Sequence, residues 1–126
     1  MFYISLKKSA RWMLGLVWLT FGGLVLAQTN PNQPITLIIP YPPGGSSDML
    51  ARPMLPELQK KLGQTIVLDY KAGAGGTIAT SALARAKPDG YTLVFGTAAT
   101  HGSNAALYKK LSFDVETDFV PVAPII

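Results

Sequence analysis

The chain has 126 residues and no cysteine, so it suits one small domain and excludes disulfides, thiolate zinc sites and cysteine nucleophiles. Its net charge is +4, from 11 Lys and Arg against 7 Asp and Glu. Three of the basic residues, Lys7, Lys8 and Arg11, precede an apolar run. The remainder is therefore close to neutral and offers no clustered basic patch of the kind that binds nucleic acid.

Residues 1–27 have the layout of a secretory signal peptide. A basic segment is followed by the apolar run 12–26 and by V-L-A, a small-x-small cleavage pattern that ends at Ala27. The competing interpretation is a transmembrane anchor, but the run is shorter than the about 20 residues that a span needs. We therefore predict a cleaved signal at 1–27 and a flexible mature N-terminus at 28–34.

Strand and helix patterns alternate along the rest of the chain. The predicted strands are 35–40, 65–70, 91–96 and a fourth that begins in 120–126. The predicted helices are 48–63, 77–87 and a short helix within 97–111, whereas 112–119 is irregular. Pro53 and Pro56 predict a kink near Arg52 or a helix that restarts at Pro53, and Gly63 suits the helix end. This alternation predicts an α/β fold with a mostly parallel sheet and flanking helices.

Three strand-to-helix loops are rich in glycine and hydroxyl residues: 41–47, 71–76 and 97–103. In an open parallel sheet such loops lie together at the carboxyl ends of the strands, where ligands bind. Glycine permits close backbone approach, and a helix N-terminus offers free N–H groups and partial positive charge. The sequence therefore predicts a site for a small anion, a carboxylate or a phosphate, that needs no Arg or Lys.

The same residues also have purely structural interpretations. Ser46, Ser47 and Asp48 suit the cap of the first helix equally well. Caps for the later helices are predicted at Thr77 and at Thr97 or Thr100. A lone His101 is more typical of a hydrogen-bonded surface residue, and Asn104 could be an ordinary helix-surface residue.

Catalytic and cofactor motifs are broken in this sequence. Ile78 interrupts the dinucleotide fingerprint, and Asp48 interrupts a nucleophile elbow after Gly44-Gly45-Ser46-Ser47. No G-K-[ST] is present, and His101 is the single histidine. We therefore predict no catalytic residue, no metal site and no cofactor.

Three separated runs carry a family likeness: "IIPYPPGGSSDMLAR", "LGQTIVLDYKAGAGGTIA" and "KPDGYTLVFGTAATHGSNAALYKKLSFDVETDFVPVAPI". Over about 34–126 the chain resembles the N-terminal part of the tripartite tricarboxylate transporter receptors, the Bug-type periplasmic solute-binding proteins. The resemblance implies the first lobe of a type II periplasmic-binding-protein fold, in a monomer located in the periplasm. It further implies a small organic carboxylate ligand, held by backbone amides and hydroxyls, and delivery to separate membrane permease subunits without catalysis.

The resemblance carries the family's ligand-binding loops onto fifteen positions. In the first loop these are Tyr41, Gly44, Gly45, Ser46, Ser47 and Asp48. In the second loop they are Gly73, Ala74, Gly75, Gly76 and Thr77, and in the third Thr97, Thr100, His101 and Asn104.

Members of this family are roughly two to three times as long as this chain, as two-domain proteins are. We therefore expect 35–126 to be a partial first lobe, from a fragment or a truncated product, with impaired ligand binding when alone. Two alternatives stay open: a secreted α/β enzyme acting on a small anionic substrate, and a non-functional remnant.

Overall fold

The computed structural model describes residues 33–125. The predicted signal peptide, most of the predicted flexible N-terminus and Ile126 lie outside the described residues. The elements are, in chain order, β1 (Ile35–Ile39), α1 (Ser46–Leu62), β2 (Ile66–Tyr70), a 3₁₀ turn (Ala74–Gly76), α2 (Thr77–Ala84), β3 (Thr92–Val94), a π-helical turn (Ala99–Ser103) and α3 (Asn104–Leu107).

The three strands form a parallel sheet in the order β2-β1-β3. Ile35 pairs with Ile66 on one side of β1, and Thr36 pairs with Thr92 on the other. The neighbours Ile38 and Ile39 point to opposite faces of the sheet, and they are 2% and 0% exposed. The α/β class with a parallel sheet is confirmed, and β1 is covered on both faces as its apolar run predicts.

The core lies where α1 packs on the sheet. Ile39 of β1, Ala51 of α1 and Phe95 after β3 are buried together, with Leu37, Leu68 and Tyr70 packed around them.

Among residues 33–125 no helix is both long enough and apolar enough to cross a membrane.

Helix α1 is continuous through both prolines, so of the two predicted alternatives the restart at Pro53 is wrong. The missing N–H groups of Pro53 and Pro56 leave the carbonyls of Met49 and Arg52 without their usual donors. All four residues are exposed, so water can satisfy those carbonyls. The helix begins at Ser46, two residues earlier than predicted, and Gly63 follows its end at a left-handed φ of 64°, as predicted.

The predicted fourth strand is not formed in 120–125. Val120 and Val122 are 88% and 79% exposed, and Pro121 and Pro124 have no N–H to donate to a strand neighbour. Two helices are also shorter than predicted. α2 ends at Ala84, and α3 has one turn because the wider π-helical turn takes up the residues before it.

Candidate ligand-binding site

The three predicted loops meet at the carboxyl edge of the sheet. Between the first and third loops, the Tyr41 and Thr97 hydroxyl oxygens are 3.2 Å apart. Between the second and third, the Asn104 side-chain amide donates to the Gly75 carbonyl at 2.9 Å. The grouping that strand order predicted is therefore present, and specific hydrogen bonds hold it together.

The first loop turns through Gly44, which has a φ of 82°, and enters α1 at Gly45. Gly45 is the N-cap and no side chain caps the helix, so the capping predicted for Ser46, Ser47 and Asp48 does not occur in that form. The first-turn N–H groups of a helix have no acceptor within the helix. Ser46 is exposed beside them, whereas Ser47 is buried.

Asp48 is buried and fully engaged inside the protein. Its carboxylate accepts from the Tyr70 hydroxyl at 2.6 Å, from the Gly44 N–H at 2.8 Å and from the Arg52 guanidinium at 3.1–3.3 Å. The Tyr70 hydrogen bond, followed by the Gly44 N–H, lowers the pKa of Asp48 from 3.8 to about 2, although burial opposes the shift. Asp48 is therefore an ionised residue that holds the loop.

The two partners of that carboxylate are affected in turn. Asp48 raises the pKa of Arg52 by its hydrogen bonds and its negative charge. It raises the pKa of Tyr70 chiefly because its carboxylate accepts a hydrogen bond from the Tyr70 hydroxyl. Both groups keep their protons at neutral pH, which is the state in which each donates to the carboxylate.

Four consecutive residues of the second loop have positive φ: Gly73 at 128°, Ala74 at 46°, Gly75 at 62° and Gly76 at 90°. Gly76 takes the N-cap position of α2, so the predicted cap at Thr77 is wrong. The Thr77 hydroxyl instead donates to the Ala74 carbonyl at 2.9 Å. Gly73, Ala74 and Gly75 are exposed, and their compact backbone allows a ligand to approach closely.

A reciprocal pair of threonines shapes the third loop. The Thr97 N–H donates to the Thr100 hydroxyl at 2.8 Å, and the Thr100 N–H donates to the Thr97 hydroxyl at 3.3 Å. Thr100 is fully buried, and its hydroxyl lies 2.8 Å from Nδ1 of His101. The His101 ring meets Phe119 edge to face at 5.2 Å, and burial lowers its pKa. The lowered pKa favours the neutral form of His101 at pH 7.

The fifteen predicted residues separate into an accessible set and a buried set. Ten are exposed or half-buried at the loop edge: Tyr41, Gly44, Gly45, Ser46, Gly73, Ala74, Gly75, Thr77, Thr97 and His101. Five are buried beneath it: Ser47, Asp48, Gly76, Thr100 and Asn104. Of the buried five, Asp48, Thr100 and Asn104 each join segments of the loops by hydrogen bonds.

Sequence reasoning missed three residues at this edge. Arg52 and Tyr70 hold Asp48, and the Tyr108 hydroxyl lies 3.4 Å from the point where a side chain on Gly75 would begin. The i,i+4 spacing of Asp48 and Arg52 was a readable signal. Tyr70 ends β2 at the same sheet edge, which strand order predicts, but its contact with Asp48 depends on how α1 packs.

Within 33–125, no three His, Cys, Asp or Glu side chains group closely enough to hold a metal ion. The groups that the loops present are backbone N–H groups and hydroxyls. Such groups bind anions and polar ligands without a metal.

Comparison with known proteins identifies the class and then the family. The parallel sheet with its loop edge matches 28% and 31% of the length of two solved relatives, so the chain has part of the periplasmic-binding-protein fold. The profile described as "Tripartite tricarboxylate transporter family receptor" matches residues 50–126. The chain belongs to this family.

Individual relatives agree with this assignment. The chain is 42% identical over 102 residues to protein BugT of Bordetella pertussis, covering 80% of this chain and 31% of BugT. MatC of Rhodopseudomonas palustris, solved with bound malate, has a TM-score of 0.68 and 42% identity, over 72% of this chain and 31% of MatC. A second protein of that organism, solved with adipate, has a TM-score of 0.64 and 38% identity, over 68% and 28% of the two chains. The chain spans less than a third of the length of each.

Proposed function

We propose that this chain is part of the first lobe of a periplasmic receptor and that this lobe binds the small organic carboxylate that the receptor captures. The main observation behind this proposal is that three glycine- and hydroxyl-rich loops meet at one sheet edge, joined by the Tyr41–Thr97 and Asn104–Gly75 contacts. Separate loops that converge in this way can surround one small ligand from several directions.

The chemistry of this edge favours an anion. Helix α1 begins there, so its first-turn N–H groups and the positive end of its dipole face the edge. The exposed Ser46 and the half-buried Thr97 add hydroxyl groups. Lys71, at the start of the second loop, is paired with Asp69 at 3.0 Å. Because Lys71 is already paired, we expect this edge to bind a carboxylate through neutral donors, directly or through water, and not through an ion pair.

Short dicarboxylates are the first ligands to test. Malate and adipate, bound to two solved relatives, are both dicarboxylates of different length. A site built from backbone donors holds one carboxylate in the same way whatever the length of the remaining carbon chain. We propose that this lobe binds one carboxylate group and that other parts of the receptor determine specificity for the remainder of the ligand.

The family name supplies the proposed partner. We propose that the receptor works as a monomer in the periplasm, releases its ligand unchanged to the membrane permease of a tripartite transporter, and catalyses no reaction. Loss of labelled dicarboxylate uptake when the gene is deleted, restored by the gene on a plasmid, is the expected outcome in cells. Unchanged uptake after the deletion would contradict this role.

Isothermal titration tests ligand capture. We expect weak but saturable binding of malate or adipate, no binding of the dimethyl ester of malate, and recovery of unaltered ligand by NMR after incubation. Equal binding of the ester would contradict anion recognition, and conversion of the ligand would favour the enzyme alternative.

Two variants of Ser46 test the role of the α1 N-terminus. Ser46→Ala removes the hydroxyl alone, whereas Ser46→Pro also removes the N–H at the first helical position, where proline is tolerated. Gly45 has φ −75° and ψ 174°, the extended conformation that a residue before proline requires. We expect Ser46→Pro to bind malate on the order of tenfold more weakly than Ser46→Ala, the effect of one hydrogen bond to a charged group. Equal affinities would remove this N–H from the site.

A further inference from the structure

A cluster of four residues, here the Asp48 clamp, links the first loop to strand β2. It consists of Gly44 in the loop, Asp48 and Arg52 on α1, and Tyr70 at the end of β2. The Asp48 carboxylate accepts from the other three at 2.6–3.3 Å. The Tyr70 hydroxyl also accepts from Arg52 Nη2 at 2.7 Å, so the ring of contacts is closed.

The first loop is held by the Gly45 N–H on the Pro42 carbonyl at 3.2 Å and by the Tyr41–Thr97 contact, and at Gly44 itself by the Asp48 clamp. A side chain built on Gly44 would meet no atom within 4 Å, so the Cβ side of this residue faces open space. Gly44 also has a left-handed φ of 82°, and glycine has the widest choice of other conformations. The 2.8 Å hydrogen bond from its N–H to Asp48 is therefore the contact that selects the observed conformation.

Tyr70 couples the clamp to the second loop. It is the last residue of β2, and the next residue, Lys71, opens the second loop with its N–H bonded to the Ile39 carbonyl at 2.9 Å. A shift of Asp48 would therefore release the first loop and remove a contact at the base of the second.

We propose that Tyr70 and Arg52 are positioning residues of the ligand site, which fix the first loop by orienting the Asp48 carboxylate onto the Gly44 N–H. This proposal rests on the proposed function for its effect on ligand affinity. Its structural part, the control of the Gly44 conformation, stands independently of any ligand. Asp48 accordingly supports the site from beneath and does not contact the bound carboxylate.

Arg52 also has an electrostatic role in the clamp. Asp48 places a negative charge within the first turn of α1, beside the proposed anion site. Arg52 binds both carboxylate oxygens, and a bidentate guanidinium compensates that charge more completely than a single amine. Arg52→Lys should therefore retain part of the affinity that Arg52→Gln loses.

The test measures the exchange of the Gly44 amide by NMR at one neutral pH, together with the dissociation constant for malate, in the full chain. The variants are Tyr70→Phe, which removes one oxygen, Asp48→Asn, Arg52→Gln and Arg52→Lys. The matched control is Glu57→Gln, which breaks an exposed i,i+4 pair with Lys61 at 3.0 Å on the same helix. We expect Tyr70→Phe and Asp48→Asn to speed Gly44 exchange and weaken malate binding on the order of tenfold each, with the control unchanged.

Each other outcome decides a separate point. Unchanged Gly44 exchange in folded Tyr70→Phe and Asp48→Asn would overturn the clamp. Faster exchange with unaltered malate affinity would overturn its role in positioning the site. Faster exchange in a protein that binds no dicarboxylate, even without substitution, would leave the clamp standing and remove the proposed function. Because Tyr70→Phe removes a single hydroxyl, it keeps the test decisive if Asp48→Asn fails to fold.

Discussion

Gly76 is the residue on which the second and third loops press most closely. It is buried, and its φ is 90°. A side chain built there would lie 2.5 Å from Cγ2 of Thr100 and 3.2 Å from Cβ of Pro40. Only hydrogen fits between these two residues, so the lack of a side chain at this position sets how near the two loops can approach.

We predict that Gly76→Ala lowers the free energy of unfolding by roughly 2–4 kcal/mol, from overpacking and left-handed strain together. Urea denaturation measures the loss. Gly90→Ala separates the two causes because Gly90 has a φ of 82° but no atom within 4 Å, and it should lose about 1 kcal/mol. Gly102→Ala has neither problem and should be close to neutral. Equal losses at Gly76 and Gly90 would show that the contact with Thr100 is relieved easily.

Asp48 gives the protein a defined sensitivity to acid. Its pKa is about 2 in the folded protein against an ordinary value of 3.8. Because the folded value is the lower one, the stabilisation is complete above about pH 4. It is lost as the pH falls through 2, where the folded carboxylate also takes up its proton.

We therefore predict a fall in stability between about pH 4 and pH 2 that is shallower in Asp48→Asn. Urea midpoints across this range give the slopes, and an NMR titration of the carboxyl carbon gives the folded pKa directly. Parallel slopes in the two proteins would mean that another carboxyl group dominates the acid response.

Helix α1 forms although its sequence places two prolines in its interior. Two interior prolines remove two hydrogen bonds, yet the helix runs unbroken from Ser46 to Leu62. Ala51 is buried on its inner face against Ile39 and Phe95. Packing of that face therefore decides the helical state, and the local preference of the prolines does not.

We predict that Pro56→Ala raises the free energy of unfolding by about 1–3 kcal/mol, since alanine restores a donor to the Arg52 carbonyl. The gain is reduced by the greater freedom that alanine gives the unfolded chain. Thermal and urea denaturation measure it, and malate affinity should stay unchanged because Pro56 is exposed and lies away from the loops. A loss of stability would mean that the proline ring makes a packing contact of greater value.

The elements that could be predicted are those fixed by local patterns. Three apolar runs and three glycine-rich loops were sufficient for the parallel sheet and for loops meeting at one edge. The Asp48 clamp could not be predicted in full, because Tyr70 lies twenty-two positions beyond Asp48 in the sequence and its geometry depends on how α1 packs.

The prediction of a fourth strand was wrong for a related reason. An apolar run such as 120–125 becomes a strand only when a neighbour pairs with it, and no such pairing occurs in the described part of the chain.

At the scale of the whole molecule, the apolar residues after Phe119 stand in contrast to the closed core. Val120, Val122 and Ile125 are 88%, 79% and 45% exposed. Exposed apolar side chains in sequence favour association between molecules.

We predict that Val122→Lys reduces self-association at high protein concentration, measured by light scattering. Thr117→Lys adds the same charge at an exposed polar position and should have a smaller effect. Equal reductions in the two variants would assign the effect to net charge instead of the apolar segment.

The strand order has a consequence for the time course of folding. β1 leaves the ribosome before either of its partners, yet it is the central strand and pairs with both. On the β3 side, Thr36 can pair only after Thr92 has been synthesised. The apolar β1 therefore has both neighbours only after β3 has been synthesised, and long loops must close before the sheet can form, which slows folding. A delay of this kind leaves the growing chain open to chaperones and to any machinery that handles unfolded polypeptide.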